Sequence, residues 1–230
     1  MANYVNTGML PQIRSERTAT PRLVFLGSRV EYMPGIFAID GASSRDPLNT
    51  GDLDVLRPGL LMGKITSGGQ YAPSIIGVTT NAEAAGSTSI EAAAAVVTEL
   101  VRRVGSSGTF TLTGPPSANG TVVSETVTYS AASGTTITAT AITNAFVAGS
   151  FIGPTDGSQT PKSLIPDGWG IKVTDEDGAS IDVEWPRVPI QGVIDSSQII
   201  NWPSDTSLRA WILARLNDVP GAKFVFDHYW

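Results

Sequence analysis

Apolar residues in this chain fall into short runs divided by glycine, proline and small polar residues, and only two stretches repeat with a helical period. The clearest strand pattern is Leu56 to Ile76, LRPGLLMGKITSGGQYAPSII. Leu60, Leu61, Met62 and Ile65 make a first apolar run, and Ser67-Gly68-Gly69 supplies a tight turn, since glycine tolerates positive φ. Gln70 to Ile76 returns, with Tyr71 and Ile75 as its bulky members. The stretch predicts a β-hairpin around which the rest is arranged. Pro73 predicts that the returning strand is an edge or is bulged, because proline cannot donate to a ladder. Upstream, Leu23–Leu26 and Val30–Ile39 predict strands, and residues 42–54 read as a loop by composition.

Helical spacing appears at Ser87–Gly105. Thr88-Ser89-Ile90-Glu91 matches a capping box. Ile90, Ala93, Ala94, Val97, Leu100, Val101 and Val104 then share one face. Arg102 and Arg103 sit where the helix dipole is negative, and Gly105 is a stop signal. This stripe reads as core packing. From Thr109 to Ile142 the period shortens to two. Phe110 and Leu112 alternate with threonine, Asn119-Gly120 marks a turn, and Val123, Val127 and Tyr129 alternate with polar residues before the turn at Ser133-Gly134. Later strands are predicted at Trp169–Val173 and Ile181–Trp185, with Pro186 and Pro189 restricting the next segment to an edge or loop. Ser204 caps a second helix with the stripe Leu208, Trp211, Ile212 and Leu216, and Phe224–Phe226 is a last strand.

Composition narrows the function classes. The 230 residues suffice for a sizeable core, and 24 Gly with 15 Pro fit a turn-rich β protein. Fifteen Lys and Arg against 21 Asp and Glu give a net charge of −6, which argues against nucleic acid as a partner. No apolar run is long enough to cross a bilayer, so no membrane partner is expected. The absence of cysteine excludes disulfides and thiolate metal sites. The first thirty residues differ in charge: Arg14, Arg17, Arg22 and Arg29 face only Glu16.

Chemistry-bearing motifs are scarce. His228 is the single histidine, too few for a multi-histidine metal site. No nucleophile elbow, P-loop or dinucleotide fingerprint is present. Asp175-Glu176-Asp177-Gly178 resembles the opening of a calcium loop but lacks its later ligands, and reads as a solvated turn. Asp182 and Glu184 are two residues apart on one strand, an unusual source for a catalytic carboxylate pair. The expectation is a protein that binds rather than catalyses, with no cofactor and no metal.

One family resemblance sharpens that expectation. RPGLLMGKITSGGQYAP resembles the first hairpin of the lambda-type phage head decoration proteins, which stabilise capsids. Asp156-Gly157-Ser158-Gln159-Thr160-Pro161 is similar to a second block of the same family, as are Ile181-Asp182-Val183-Glu184, Gln191-Gly192-Val193 and the ending from Trp202-Pro203. In the family the second block follows the hairpin closely. Here residues 81–153 intervene, which implies an insertion.

The expected fold class is mainly β with α+β elements. Residues 1–21 would be an extended arm and 22–80 with 154–230 a decoration-protein-like β-rich core. Residues 81–153 would be a small inserted α+β domain of one helix and about three strands. The resemblance implies a homotrimer on the outer surface of an icosahedral head, made in the host cytoplasm, with the major capsid protein as partner. It also implies an arm that adds to a strand of the shell protein. Tyr4, Val5, Leu10 and Ile13 suit the extended contacts of such an arm, with Arg14 and Arg17 on capsid carboxylates. The competing expectation, from five Trp and five Tyr, is a tail- or fibre-associated module that binds carbohydrate or a receptor.

Overall fold

The computed structural model of the protein describes residues 21–227. Among the described residues 37% are strand and 13% helix, with two α-helices, so this part of the chain is mainly β. Its buried side chains gather in three apolar clusters.

The predicted hairpin forms β4 (Leu61–Lys64) and β5 (Tyr71–Pro73), with Gly63 opposite Ala72. It lies at the middle of a five-stranded sheet. β12 (Pro161–Leu164) pairs antiparallel with β4, β2 (Phe37–Ile39) runs parallel to β5, and β14 (Val183–Trp185) closes the edge beyond β2. The expectation that Pro73 marks an edge or bulge is corrected. β5 is central, but it meets β2 only at Tyr71 opposite Ile39, so the proline lies past that ladder and removes no bond from it. Tyr71 stands edge-on to Trp185 at 5.2 Å and to Phe37 at 6.0 Å. These rings join Ile39, Leu56, Met62 and Val188 in one cluster. A two-stranded ladder of β3 (Val55–Leu56) and β13 (Ile171–Lys172) flanks it.

A three-stranded sheet has the order β1 (Phe25–Tyr32), β15 (Pro189–Ile194), β16 (Lys223–Phe226). Here too proline misleads: Pro186 and Pro189 point to an edge or loop, yet β15 is the central strand. Pro189 is its first residue, where the missing N–H is tolerated. Phe25, Ile194 and Phe226 form a buried cross-strand row and cluster with Leu208, Ile212 and Leu216 of helix α2 (Thr206–Leu216). The α2 cap is Asp205 rather than Ser204: its carboxylate accepts from the N–H groups of Ser207 and Leu208.

Residues 77–153 build a six-stranded sheet, β6-β11-β8-β9-β10-β7. Its strands are β6 (Gly77–Val78), β7 (Ser89–Glu91), β8 (Gly108–Gly114), β9 (Val123–Ser133), β10 (Thr136–Ala139) and β11 (Phe151–Gly153). Five of these fall within 81–153, against an expected three or so. Helix α1 (Ala94–Val104) packs Val96, Val97 and Leu100 against Phe110, Leu112, Val127, Tyr129 and Ile137. Gly105 ends it, with φ +123°.

The helix start needs correction. Ser89-Ile90-Glu91 is strand β7, paired to β10, and α1 opens at Ala94 with no side-chain cap. Ile90 and Ala92 are buried while Glu91 between them accepts from the Thr136 hydroxyl, an alternation of period two. Ala93 and Ala94, expected on the apolar face, are exposed, and Val96 takes the inward position.

Candidate functional site

The arm residues singled out in the sequence, Tyr4, Val5, Leu10, Ile13, Arg14 and Arg17, lie outside the described residues. Within 21–227 the informative place is the seam where the hairpin, the Asp156–Pro161 block and the six-stranded unit meet.

The two family-like blocks are far apart in sequence and adjacent in space. β12 pairs with β4, and the Thr66 N–H donates to the Asp156 carbonyl at 2.8 Å. The approach is so close that only glycine fits at Gly63: a methyl there would overlap the Ser158 carbonyl and lie 2.7 Å from the Thr160 carbonyl.

Arg103, from the last turn of α1, is driven into this seam with 3% of its side chain exposed. One terminal nitrogen donates to the Pro73 carbonyl at 2.7 Å. The other donates to Asp156 Oδ2 at 3.0 Å and to Ser158 Oγ at 2.7 Å. Ser158 in turn donates its N–H and hydroxyl to Asp156 Oδ1. Burial alone would raise the Asp156 pKa, but the Arg103 charge and the bonds from Ser158 and Arg103 outweigh it, and the pKa falls. Burial also lowers the Arg103 pKa against the opposing pull of Asp156. An arginine remains charged across the ordinary pH range, so the pair is ionic. The helix dipole was a legible reason for a cation at Arg103; its partners across the seam were not.

A second clasp joins the units. The Asn119 turn, with φ +58°, donates its N–H to Asp205 Oδ2 at 2.7 Å. Asn119 Oδ1 accepts from the N–H and the hydroxyl of Thr206, at the start of α2.

Between the clasps lies a half-open groove of about 190 Å³. Its floor is Thr111 and Thr113 of β8 with Ser124 and Thr126 of β9; Gln159, Thr160 and Trp211 form the walls. The period-two pattern of GTFTLTG and SETVTYS turns these hydroxyls away from the Phe110–Tyr129 core, so that part of the groove was legible. Thr113 Oγ1 and Ser124 Oγ are 2.8 Å apart, and Thr111 donates to the Pro154 carbonyl. Glu125 lines the groove, yet its carboxylate accepts from the N–H groups of Thr143 and Asn144 and from the Asn144 amide. Burial opposes its ionisation, but these bonds prevail and lower its pKa.

Two of the acids weighed as catalytic or metal ligands, Asp182 and Asp175, are likewise occupied. Asp182 accepts from the Gly41 N–H and the Gln70 amide, strapping loop to sheet. Asp175 Oδ1 accepts from the N–H groups of Asp177 and Ala179, so it organises its own turn. Among the described residues no three His, Asp or Glu side chains converge on a metal-sized space. No helix among them is long and apolar enough to cross a membrane. Comparison of the chain with protein-family models, curated proteins and solved structures finds no match in any of the three.

Proposed function

We propose that the protein is a phage head decoration protein, which binds the outside of an icosahedral capsid as a homotrimer and stabilises the lattice of major capsid subunits. The reading rests on the resemblance of the hairpin and the Asp156–Pro161 block to that family. The observation that carries it is the seam. Blocks that are consecutive in the family are split here by 81–153 and yet meet at Gly63, Thr66 and Asp156. An insertion that preserves a fold must enter and leave at neighbouring points, and Val78 just before the segment pairs with Phe151 near its end.

The function is binding without chemistry. Bound only to the assembled shell, the trimer stabilises it by mass action. Self-association has an apolar strip available: Leu26, Val193 and Val225 form a row on the outer face of the three-stranded sheet, with Leu26 48% and Val225 37% exposed.

The test adds purified protein to undecorated heads and images them. Density at threefold and quasi-threefold positions is expected, with heads that survive higher temperature. Heads that stay bare overturn the reading. Light scattering should count three chains per particle, and Val225→Asp should reduce this to one folded chain, with the same circular dichroism spectrum and a melting temperature that no longer rises with protein concentration. A stable dimer would contradict the trimer.

A further inference from the structure

We propose that the groove between β8–β9 and α2 is a binding site for a neutral saccharide. The inference stands on the groove alone and holds or fails independently of capsid binding.

The lining selects the ligand class. Its floor is hydroxyl: Thr111 opposes Thr126 and Thr113 opposes Ser124 across the β8–β9 ladder. Strand geometry spaces such groups by roughly 5 Å across strands and 7 Å along them, so they form a small lattice of donors and acceptors. The hydroxyls of Thr126 and Thr160 have no hydrogen-bond partner among the described residues. Each remains both donor and acceptor. Gln159 uses its carbonyl oxygen on the Gly157 N–H at 2.8 Å, which leaves its NH₂ group to donate. Polyhydroxylated ligands require this mixture of donors and acceptors.

Charge excludes the main competitors. No Lys or Arg lines the groove, so a phosphate or carboxylate seated in it has no lining cation to pair with directly. The one lining carboxylate, Glu125, is satisfied by three protein donors, so a cation finds no free anion. An apolar guest would strip water from the threonine hydroxyls without replacing it. Trp211 supplies the remaining requirement, an apolar wall for the C–H face of a pyranose. It is held in place by Phe151 at 6.1 Å, and the Arg215 guanidinium lies over its ring, 5.7 Å from the centroid. The volume of about 190 Å³ suits one sugar ring rather than a buried oligomer.

The test uses the full chain on an array of neutral and anionic glycans, followed by titration calorimetry with the best neutral monosaccharide glycoside. Wild type is expected to bind at least one neutral glycan. Thr126→Lys, a change at an exposed strand position, should fill the groove and weaken binding by at least about tenfold, equivalent to roughly 1.4 kcal/mol. Thr160→Val keeps the shape and removes the hydroxyl, and should weaken binding severalfold; it provides the answer if the lysine variant misfolds. Thr128→Lys, outside the groove, should bind the monosaccharide as wild type does. Absence of neutral glycan binding overturns the proposal. So does binding confined to charged glycans, or binding that neither groove variant alters.

Discussion

The six-stranded unit and the hairpin sheet are held by different means. In the former, β8 and β9 run for 7 and 11 residues with apolar and polar side chains largely alternating, and their inward side chains with α1 form one cluster. In the latter no strand exceeds four residues. Beside its own apolar cluster, it relies on backbone apposition at Gly63 and on polar straps. Arg57 pairs with both oxygens of the fully buried Asp46, at 2.6 and 3.0 Å, and Asp182 ties Gly41 to Gln70. A long alternating ladder shares its stability over many similar contacts. A patchwork of short strands concentrates it in few contacts, each remote in sequence, so single changes there should be more damaging.

Glycine substitutions offer the strongest test of that contrast. Gly63→Ala sets a methyl against two carbonyls of the rigid backbone and should cost more than about 3 kcal/mol in chemical denaturation. Gly134→Ala, in the β9–β10 turn, has open space around it and suffers only its positive φ, about 1–2 kcal/mol. Similar losses at both sites would remove the distinction.

Arg103→Met tests how far the two regions behave as one. It removes the bonds to Pro73, Asp156 and Ser158 while retaining bulk, and should cost about 2–3 kcal/mol. Calorimetry should then resolve two transitions where wild type has one. A single transition in the variant would mean that the apolar contacts of Phe151 and Val78 suffice to couple the units.

Acid should loosen the same seam more gently. Because the Asp156 pKa is depressed in the folded state, its contribution is present above the unfolded value near ~3.9 and is lost as pH falls through the folded value. The effect is limited by the 32% exposure of the Asp156 side chain. Melting followed between pH 5 and 2 should show a shallower acid decline in Asp156→Asn than in wild type. Glu125 shifts in the same direction and should account for part of the remaining decline.

The smallest effect is expected at the second clasp. Asn119→Gly keeps the left-handed turn but removes the acceptor for Thr206, about 0.5–1 kcal/mol. An unchanged melting temperature would show that Asp205 alone holds that end of α2.

Much of this architecture can be read from residue order. The hairpin at Leu61–Pro73, the turn at Asn119, the stop at Gly105, the stripe of α2 and the threonine face of β8–β9 follow from local periodicity and turn chemistry. Those signals act over a few residues, so neighbours in sequence suffice to establish them. Among the local readings that failed, two show how tertiary context outweighed them. Ser89–Glu91 has the letters of a capping box, yet β10 offered Ile90 a buried place in a ladder. Pro189 looks like an edge signal, yet as the first residue of β15 it gives up no interior bond between β1 and β16. Which surfaces meet is another matter. Gly63 against Ser158, Arg103 against Asp156 and Asn119 against Thr206 join residues that no local pattern links, and the groove likewise brings Gln159, Thr160 and Trp211 to the β8–β9 face from distant parts of the sequence. Periodicity says which face of a strand is apolar. The choice of cover for that face is made by the packing of the whole chain, where shape, buried charge and backbone clearance must be satisfied together.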